Sequence, residues 1–167
     1  MARIVPGRMT AQAPPGTVVF LIGMRVNRAW KFHRWLPVAA AMPGMLAELA
    51  RQPELGLRGS AIYLGGRTIL LVQYWQSAEH LTRYATAREH AHLPAWRAFN
   101  RRVRDNGDVG VFHETYVIDR HETIQVNMPA GFGLAGATTA VPVARRGQAA
   151  RHRLDPAAPD EPAVAPY

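Results

Sequence analysis

The spacing of apolar and polar positions predicts an α+β fold that begins with a buried strand. Residues 17–26 form a continuous apolar, β-branched run, which is typical of a strand covered on both faces, and we expect it to be the central strand. The segment 28–52 is predicted to be helical but broken or kinked at Pro37 and Pro43, because proline lacks the amide hydrogen and crowds the preceding turn.

The clearest local signal is a β-hairpin over residues 57–75. Two strand-like runs flank Gly65-Gly66, a pair that permits the positive φ angles of a two-residue turn. Folding the chain about this pair sets Tyr63 opposite Thr68. One face of the hairpin is then almost wholly apolar, and the other is apolar with a polar patch.

Two more helices and two more strands follow in the pattern. Ser77 is predicted to open one helix, and residues 92–106 carry the apolar stripe of another. Residues 109–118 and 121–128 alternate as strands and are predicted to pair as a second hairpin.

The predicted order is β, α, β, β, α, β with an extra C-terminal strand, which is the ferredoxin-like arrangement. Helices cover one face of such a sheet. Since the strands are apolar on both sides, we expect the other face to pair with a second copy, giving a homodimer and a dimeric α+β barrel. The predicted division of the chain is a flexible N-terminal segment (1–16), the ferredoxin-like domain (17–128), an arm or lid (129–144) and a disordered tail (145–167).

The composition of the chain excludes several kinds of functional site and several classes of protein. The chain of 167 residues has no cysteine, which excludes disulfides, thiolate metal sites and cysteine nucleophiles. It has no signal-peptide pattern and no apolar run of about 18 residues, so a cytoplasmic protein without a membrane partner is expected. The net charge is +8, and of 20 basic residues only Lys31 is lysine. The arginines are spread along the chain, so nucleic acid is not expected as a partner, although phosphate recognition is the alternative interpretation.

His113 is the first candidate for chemistry because it occupies the middle of an apolar strand. A histidine there is either a hydrogen-bonded core residue or a functional group, namely a proton-transfer residue or an axial haem ligand. Its neighbours Glu114 and Tyr116 are predicted to point to the opposite face.

Further candidates lie on the predicted helix over residues 92–106 and at the strand ends. His92, Trp96 and Asn100 recur at i, i+4 and i+8, which places them along one side of a helix, where Asn100 is a candidate to meet a bound molecule and Trp96 can be core packing. The alternative for His92 is an exposed loop, and no metal site is predicted. A polar pocket end is hypothesised from Arg25, Arg58, Gln73 and Trp75, with surface capping as the alternative.

Several stretches of the sequence resemble a bacterial family of unknown function known as monooxygenase-like. The resemblance covers about residues 17–143. The stretches are 74–81 (YWQSAEHL), 92–100 (HLPAWRAFN), 105–107 (DNG), 113–116 (HETY), 126–129 (VNMP) and 132–134 (FGL). The family is similar in fold to antibiotic-biosynthesis monooxygenases and to haem-containing aldoxime dehydratases, which are dimeric α+β barrels with a cavity between helices and sheet.

The resemblance implies an oxidoreductase that acts on a small apolar or aromatic molecule. In a cofactor-free mechanism, His113, Asn100 and Trp96 would be catalytic, and Arg25, Arg58, Gln73, Trp75 and His92 would bind the substrate. In the haem-dependent alternative, His113 or His92 would ligate the iron. A third interpretation is a dimer that binds a small molecule without catalysis. These roles are fold-level analogies.

Overall fold

The computed structural model describes residues 3–87, 96–97, 99–101 and 106–165. The strands are β1 (Ile4–Gln12), β2 (Val18–Val26), β3 (Leu57–Gly65), β4 (Thr68–Trp75), β5 (Val109–Val117), β6 (Gln125–Pro129) and β7 (Thr139–Pro142). The helices are α1 (Phe32–Arg51), α2 (Ala78–Thr86), α3 (Gly133–Ala137) and α4 (Ala150–Leu154), and short 3-10 turns occupy Pro53–Leu55 and Val143–Arg145. Residues 96–97 and 99–101 are also helical. Two compact units result, a central unit from Val18 to Val117 and a terminal unit from the residues before and after it.

The central unit confirms the ferredoxin-like prediction. Its four strands are antiparallel in the order β3-β4-β2-β5, with α1 between β2 and β3 and α2 between β4 and β5. This is the βαββαβ topology in which the first and third strands are central. Strand β2 pairs along its length with both β4 and β5, as expected for the predicted central strand.

The core of the central unit lies on one side of this sheet, here called the helix side. At one end of β2, Val18 and Trp75 pack with Leu49 of α1 and with Leu81 and Tyr84 of α2. At the other end of β2, a second cluster contains Met24, Val26 and Val109, with Trp35, Val38 and Phe99 packed against it. The opposite side of the sheet is called the open side.

One local prediction in the central unit, the register of the hairpin, was wrong. The turn of the hairpin is Gly66-Arg67, so that Gly65 pairs with Thr68 and Tyr63 pairs with Leu70 rather than with Thr68. Gly66 alone supplies the positive φ that the turn requires, at 57°. The partner of each residue from Gly59 to Gly65 shifts by two, so these side chains keep their predicted face, whereas Leu57, beyond the irregularity, pairs with Trp75.

Of the two alternatives predicted for the segment 28–52, a broken or a kinked helix, the break is absent, since α1 is continuous over 20 residues that include Pro37 and Pro43. Each proline lacks the amide hydrogen for one backbone hydrogen bond, and the helix continues on both sides of it. No helix in the described part of the chain is long and apolar enough to cross a membrane.

The terminal unit contains a three-stranded antiparallel sheet in the order β6-β1-β7. The second hairpin was therefore predicted wrongly, because β6 pairs with β1 and not with β5. Residues 4–12, expected to belong to a flexible segment, form the central strand β1, in which Thr10 and Ala11 are fully buried. The Pro6-Gly7 dipeptide concealed this strand, since it lies at an irregularity in the pairing where Gly7 has a φ of 83°.

The segments expected to be an arm and a disordered tail also carry structure. Residues 129–144 include α3 and β7, and β7 pairs with β1. In the tail, Arg153 of α4 is 4% exposed. Its guanidinium donates to Glu122 and to the carbonyl groups of Gly147 and Gln148. A buried arginine that is satisfied in this way explains why this polar sequence is ordered.

His121 links the tail to β1. The Arg146 Nη1 atom lies 2.8 Å from His121 Nε2 and 2.5 Å from the carbonyl oxygen of Ala11. Burial lowers the pKa of His121 below its usual 6.5, contact with the Ala11 carbonyl partly opposes this, and the Arg146 charge lowers it further. The imidazole is therefore neutral in the folded protein near pH 7.

Asp108 fastens the start of β5 to the chain that leads into α1. Its side chain is 3% exposed and accepts hydrogen bonds from Arg28 Nη1 at 2.7 Å and from Lys31 Nζ at 2.9 Å. Its backbone carbonyl accepts from the amides of Asn27 and Arg28. The contact with Lys31, together with that of Arg28, lowers the pKa of Asp108.

We expect Asp108→Asn to lower the stability of the protein at pH 7, because the amide leaves two cations without their carboxylate. A carboxyl group whose folded pKa is below its ordinary 3.8 stabilises the fold above that pH, and this contribution is lost as the pH falls further. The difference in urea midpoint between the wild type and Asp108→Asn should therefore shrink from pH 7 to pH 3. Asp119→Asn, at an exposed aspartate, is the control. A constant difference would contradict the assignment.

His121 predicts a second pH dependence, in the terminal unit. Because its folded pKa lies below the unfolded value of 6.5, the unfolded chain binds more protons and stability falls as the pH drops through that value. Hydrogen exchange of the β1 amides, corrected for intrinsic rates, should show less protection at pH 5.5 than at pH 7. In His121→Gln this pH dependence should be weaker, and an unchanged dependence would show that another group is responsible.

Candidate functional site

The candidate site lies on the helix side of the four-stranded sheet, around Phe20. Phe20 pairs with Gln73 of β4 and with Thr115 of β5, and Ile22, two residues along, pairs with His113. Since side chains two residues apart on a strand share a face, these residues project to the same side. We call Phe20, Gln73, His113 and Thr115 the Phe20 surface.

Gln73 is held in place by a buried tryptophan. Trp75 is 1% exposed, Gln73 is 5% exposed, and Trp75 Nε1 donates a hydrogen bond of 2.9 Å to Gln73 Oε1. This bond uses the oxygen of the Gln73 amide, so its NH₂ group is the part that can donate to a bound molecule.

Trp75 is fixed in turn by the helices. Its ring lies 5.7 Å from that of Tyr84, centroid to centroid, and the Tyr84 hydroxyl donates to Glu48 Oε2 at 3.0 Å. Burial and this bond to Glu48 raise the pKa of Tyr84 far above its usual value, so the phenol stays protonated and remains the donor. Residues of β4, α1 and α2 thereby set the position of the Gln73 amide.

His113 presents an imidazole that is accessible to solvent. Its ring lies 5.8 Å from the ring of Phe20, at an interplanar angle of 42°. His113 is exposed, which differs from the buried core position considered from the sequence. Its neighbours Glu114 and Tyr116 are on the open side, where the Tyr116 hydroxyl donates to Glu114 Oε2 at 2.5 Å and the pKa of Tyr116 is raised as a result.

No contact among the described residues places the candidates of the predicted helix 92–106 at the Phe20 surface. Trp96 is 42% exposed and stacks on Phe99 at a centroid distance of 5.3 Å, and Phe99 packs at the Met24 end of β2. Asn100 is exposed. His92 lies outside the described residues.

Of the four residues hypothesised to form a polar pocket end, the structure shows only Gln73 and Trp75 in contact. Gln73 and Trp75 are together, but Arg25 pairs with Thr68, seven residues along β4 from Trp75, which is about 23 Å at the usual rise of a strand. Arg25 also projects to the open side, and its Nη1 donates to Thr68 Oγ1 at 3.3 Å. The antiparallel register is the physical reason, and the grouping of Arg25 with Trp75 was wrong. Arg58 is exposed beside an irregularity in β3 pairing.

Sequence reasoning missed Phe20 and the Glu48–Tyr84 pair. Alternation within β2 was a usable signal for Phe20, because it places Val18, Phe20 and Ile22 on one face. No comparable signal joins Glu48 to Tyr84, since that contact depends on how two helices pack on the sheet.

The terminal unit has pockets of its own. One, of about 240 Å³, is lined mainly by apolar groups, among them Val5, Met9, Met128 and Phe132. Another, of about 390 Å³, is lined by polar tail residues that include Arg146 and Arg153. Within the described ranges no group of three or more histidine or carboxylate side chains is placed to hold a metal ion.

The chemistry available at the Phe20 surface is therefore that of an aromatic ring, an amide donor and an imidazole. The ring can stack on a flat apolar molecule. The amide can donate to an oxygen atom of that molecule, and the imidazole can serve as a proton-transfer group.

Comparison with known proteins assigns the chain to a family. The model of the family described as monooxygenase af470-like matches residues 17–134. The monooxygenase af470 of the fungus Aspergillus fumigatus is 29% identical over 157 residues, covering 76% of this chain and 53% of its own. The chain thus spans about half the length of this curated relative, which is fungal although the sequence resemblance was to a bacterial family.

The solved structures that resemble this chain have low sequence identity to it. SnoaB, a cofactor-independent oxygenase from Streptomyces nogalater, is 15% identical, with a TM-score of 0.46 over 64% of this chain and 96% of its own. A protein from Mycobacterium tuberculosis is 13% identical, with a TM-score of 0.48 over 64% of this chain and 99% of its own. The sequence match over residues 17–134 decides the assignment: the chain belongs to the monooxygenase af470-like family.

Proposed function

We propose that this chain is a monooxygenase that acts on a small apolar or aromatic molecule held at the Phe20 surface. Membership of a monooxygenase-like family supports the class of reaction. The observation that carries the proposal is the accessible imidazole of His113 beside the ring of Phe20, with the Gln73 amide on the neighbouring strand.

The Phe20 surface is suited to a flat molecule that carries an oxygen substituent. The Phe20 ring is half-buried and offers one face for offset stacking. The NH₂ group of Gln73, held by Trp75, donates to a phenol or carbonyl oxygen of the substrate. Position and orientation of the substrate then follow from groups that are already fixed in the folded chain.

His113 is proposed to be the base. A phenolic carbon acid gives up a proton to the imidazole, and the resulting carbanion supplies the electrons that reduce oxygen, as the resemblance to cofactor-free monooxygenases implies. The overall change converts R₂CH₂ and O₂ into R₂C=O and H₂O, so one oxygen atom enters the substrate and the other leaves as water. The substrate is oxidised and no residue of the protein changes its redox state.

This proposal predicts oxygen uptake with a phenolic carbon acid, and dithranol is a suitable probe. Purified protein should accelerate oxygen consumption by dithranol, measured with an oxygen electrode. His113→Gln should reduce the enzymatic rate by about 100-fold or more, which is the usual contribution of a positioned base. His33→Gln, at an exposed histidine of α1, is the matched control and should retain the rate.

Other outcomes would replace the proposal. Saturable binding of dithranol without turnover would indicate a binding protein. A Soret band that appears on addition of haemin and is lost in His113→Gln, in protein that leaves dithranol unchanged, would favour the haem-dependent mechanism. Equal rates in the wild type and His113→Gln would exclude His113 as the base.

We propose further that a second copy of the chain covers the open side of the sheet. Tyr63, Phe112 and Tyr116 are exposed there, and Leu21 and Val72 are half-buried in the middle. Arg25 and Glu114 also lie on this side, but the patch of Leu21, Tyr63, Val72 and Phe112 carries no charge, so a twofold arrangement can bring the same patch together from both copies.

Val72→Arg is expected to dissociate this dimer, because a twofold interface places the new charge in the contact twice. Light scattering after size exclusion should give about twice the 18.5 kDa of the chain for the wild type and the single mass for Val72→Arg. Leu64→Arg, at the hairpin tip where Leu64 is 78% exposed, should remain dimeric. A monomeric wild type would contradict this part of the proposal.

A further inference from the structure

Helix α1 has an apolar stripe on the side that it presents to solvent. The exposed members recur at i, i+4, i+8, i+11 and i+15, which is one line along four turns of a helix. Phe32 is 63% exposed and Leu36 is 52% exposed. The stripe consists of Phe32, Leu36, Ala40, Pro43 and Ala47.

This stripe is unusual for a surface helix. Of the 20 residues of α1 only Leu49 is buried, and no charged residue lies between Arg34 and Glu48. A helix that packs on a core through one face normally carries polar side chains on the other. The outer face of α1 therefore remains apolar over most of its length, which is about 30 Å for 20 residues.

An aromatic and basic cluster lies at the start of the same helix. Trp30, in the turn that precedes α1, is 71% exposed. Basic side chains surround this end of the central unit, where Arg67 donates to the Asn27 carbonyl and Arg28 and Lys31 meet the buried Asp108. They include Arg28, Lys31 and Arg67. Among the described residues, these three cations meet one carboxylate, that of Asp108, to which Arg28 and Lys31 are bound.

We propose that Trp30 and the stripe of α1, together called the α1 surface, bind an anionic lipid membrane, with α1 lying in the plane of the interface. Exposed aromatic and aliphatic side chains enter the boundary between headgroups and acyl chains. The cations at the start of the helix face anionic headgroups. This inference goes beyond the proposed function, because the α1 surface shares no residue with the Phe20 surface.

The distribution of charge favours lipid over nucleic acid as the occupant. A surface that binds nucleic acid carries cations along the path of the phosphate backbone, among the stacking aromatics. Here the cations are concentrated at one end of α1, and the next three turns expose only aliphatic groups. A second copy of the chain has a different apolar patch available, on the open side of the sheet.

The test is sedimentation of the full-length protein with vesicles of phosphatidylcholine and phosphatidylglycerol in a ratio of three to one. The wild type should bind, and the double variant Phe32→Glu/Leu36→Glu should bind at least about tenfold more weakly, since burial of one such side chain is worth about a tenfold change in an equilibrium constant. Leu64→Glu, an equally polar change at an exposed site of the same unit, should bind like the wild type. Circular dichroism checks that each variant keeps its fold.

Binding that weakens from 0.1 to 0.5 M salt would support the role of the cations. Three results would overturn the inference: no binding by the wild type, equal binding by the double variant, or equal binding to vesicles of phosphatidylcholine alone. Retention of the wild type on double-stranded DNA, lost in the double variant, would show that the α1 surface binds nucleic acid instead.

Discussion

The register of β2 determines which side chains each surface of the central unit can offer. This strand pairs with β4 on one side and with β5 on the other, so its even-numbered residues face the helices and its odd-numbered residues face the open side. A slip of one residue would carry Phe20 into the open side and Leu21 into the core. The packing of the core, the Phe20 surface and the apolar open side therefore depend on the same set of backbone hydrogen bonds, which makes the site as rigid as the sheet that holds it.

The parts of the fold that sequence reasoning predicted are those that depend on local pattern. The apolar run of β2, the two-residue turn of the hairpin and the alternation that separates His113 from Glu114 are properties of short segments, and each is present. The turn lies one residue further along the chain than predicted. Both Gly65-Gly66 and Gly66-Arg67 begin with a glycine, which can adopt the positive φ of the first turn position. Gln73 and Trp75 share a face of the sheet for the same reason, since they are two residues apart on one strand.

The predictions that were wrong concern pairing between residues that are far apart in the sequence. Arg25 was placed with Trp75 although the antiparallel register of β2 and β4 sets them at opposite ends of the sheet. Strand β1 was missed because its partners β6 and β7 are more than 100 residues away and Gly7 interrupts its pattern. There Gly7 donates its amide to Asn127 Oδ1 at 3.0 Å, so the interruption is itself stabilised by a distant side chain. No local periodicity reports such a contact.

Helix α1 shows that folding of the central unit does not by itself account for the whole sequence. One side of the helix is explained by packing, since Trp35 and Val38 pack against the Met24 cluster and Leu49 belongs to the cluster that contains Trp75. The outer side gains nothing from this packing, yet it is equally apolar. Charged side chains there would leave the core contacts intact and would keep the surface hydrated. An apolar outer face is consequently a feature that the fold tolerates but does not require, and its explanation has to come from something that the helix meets outside the central unit.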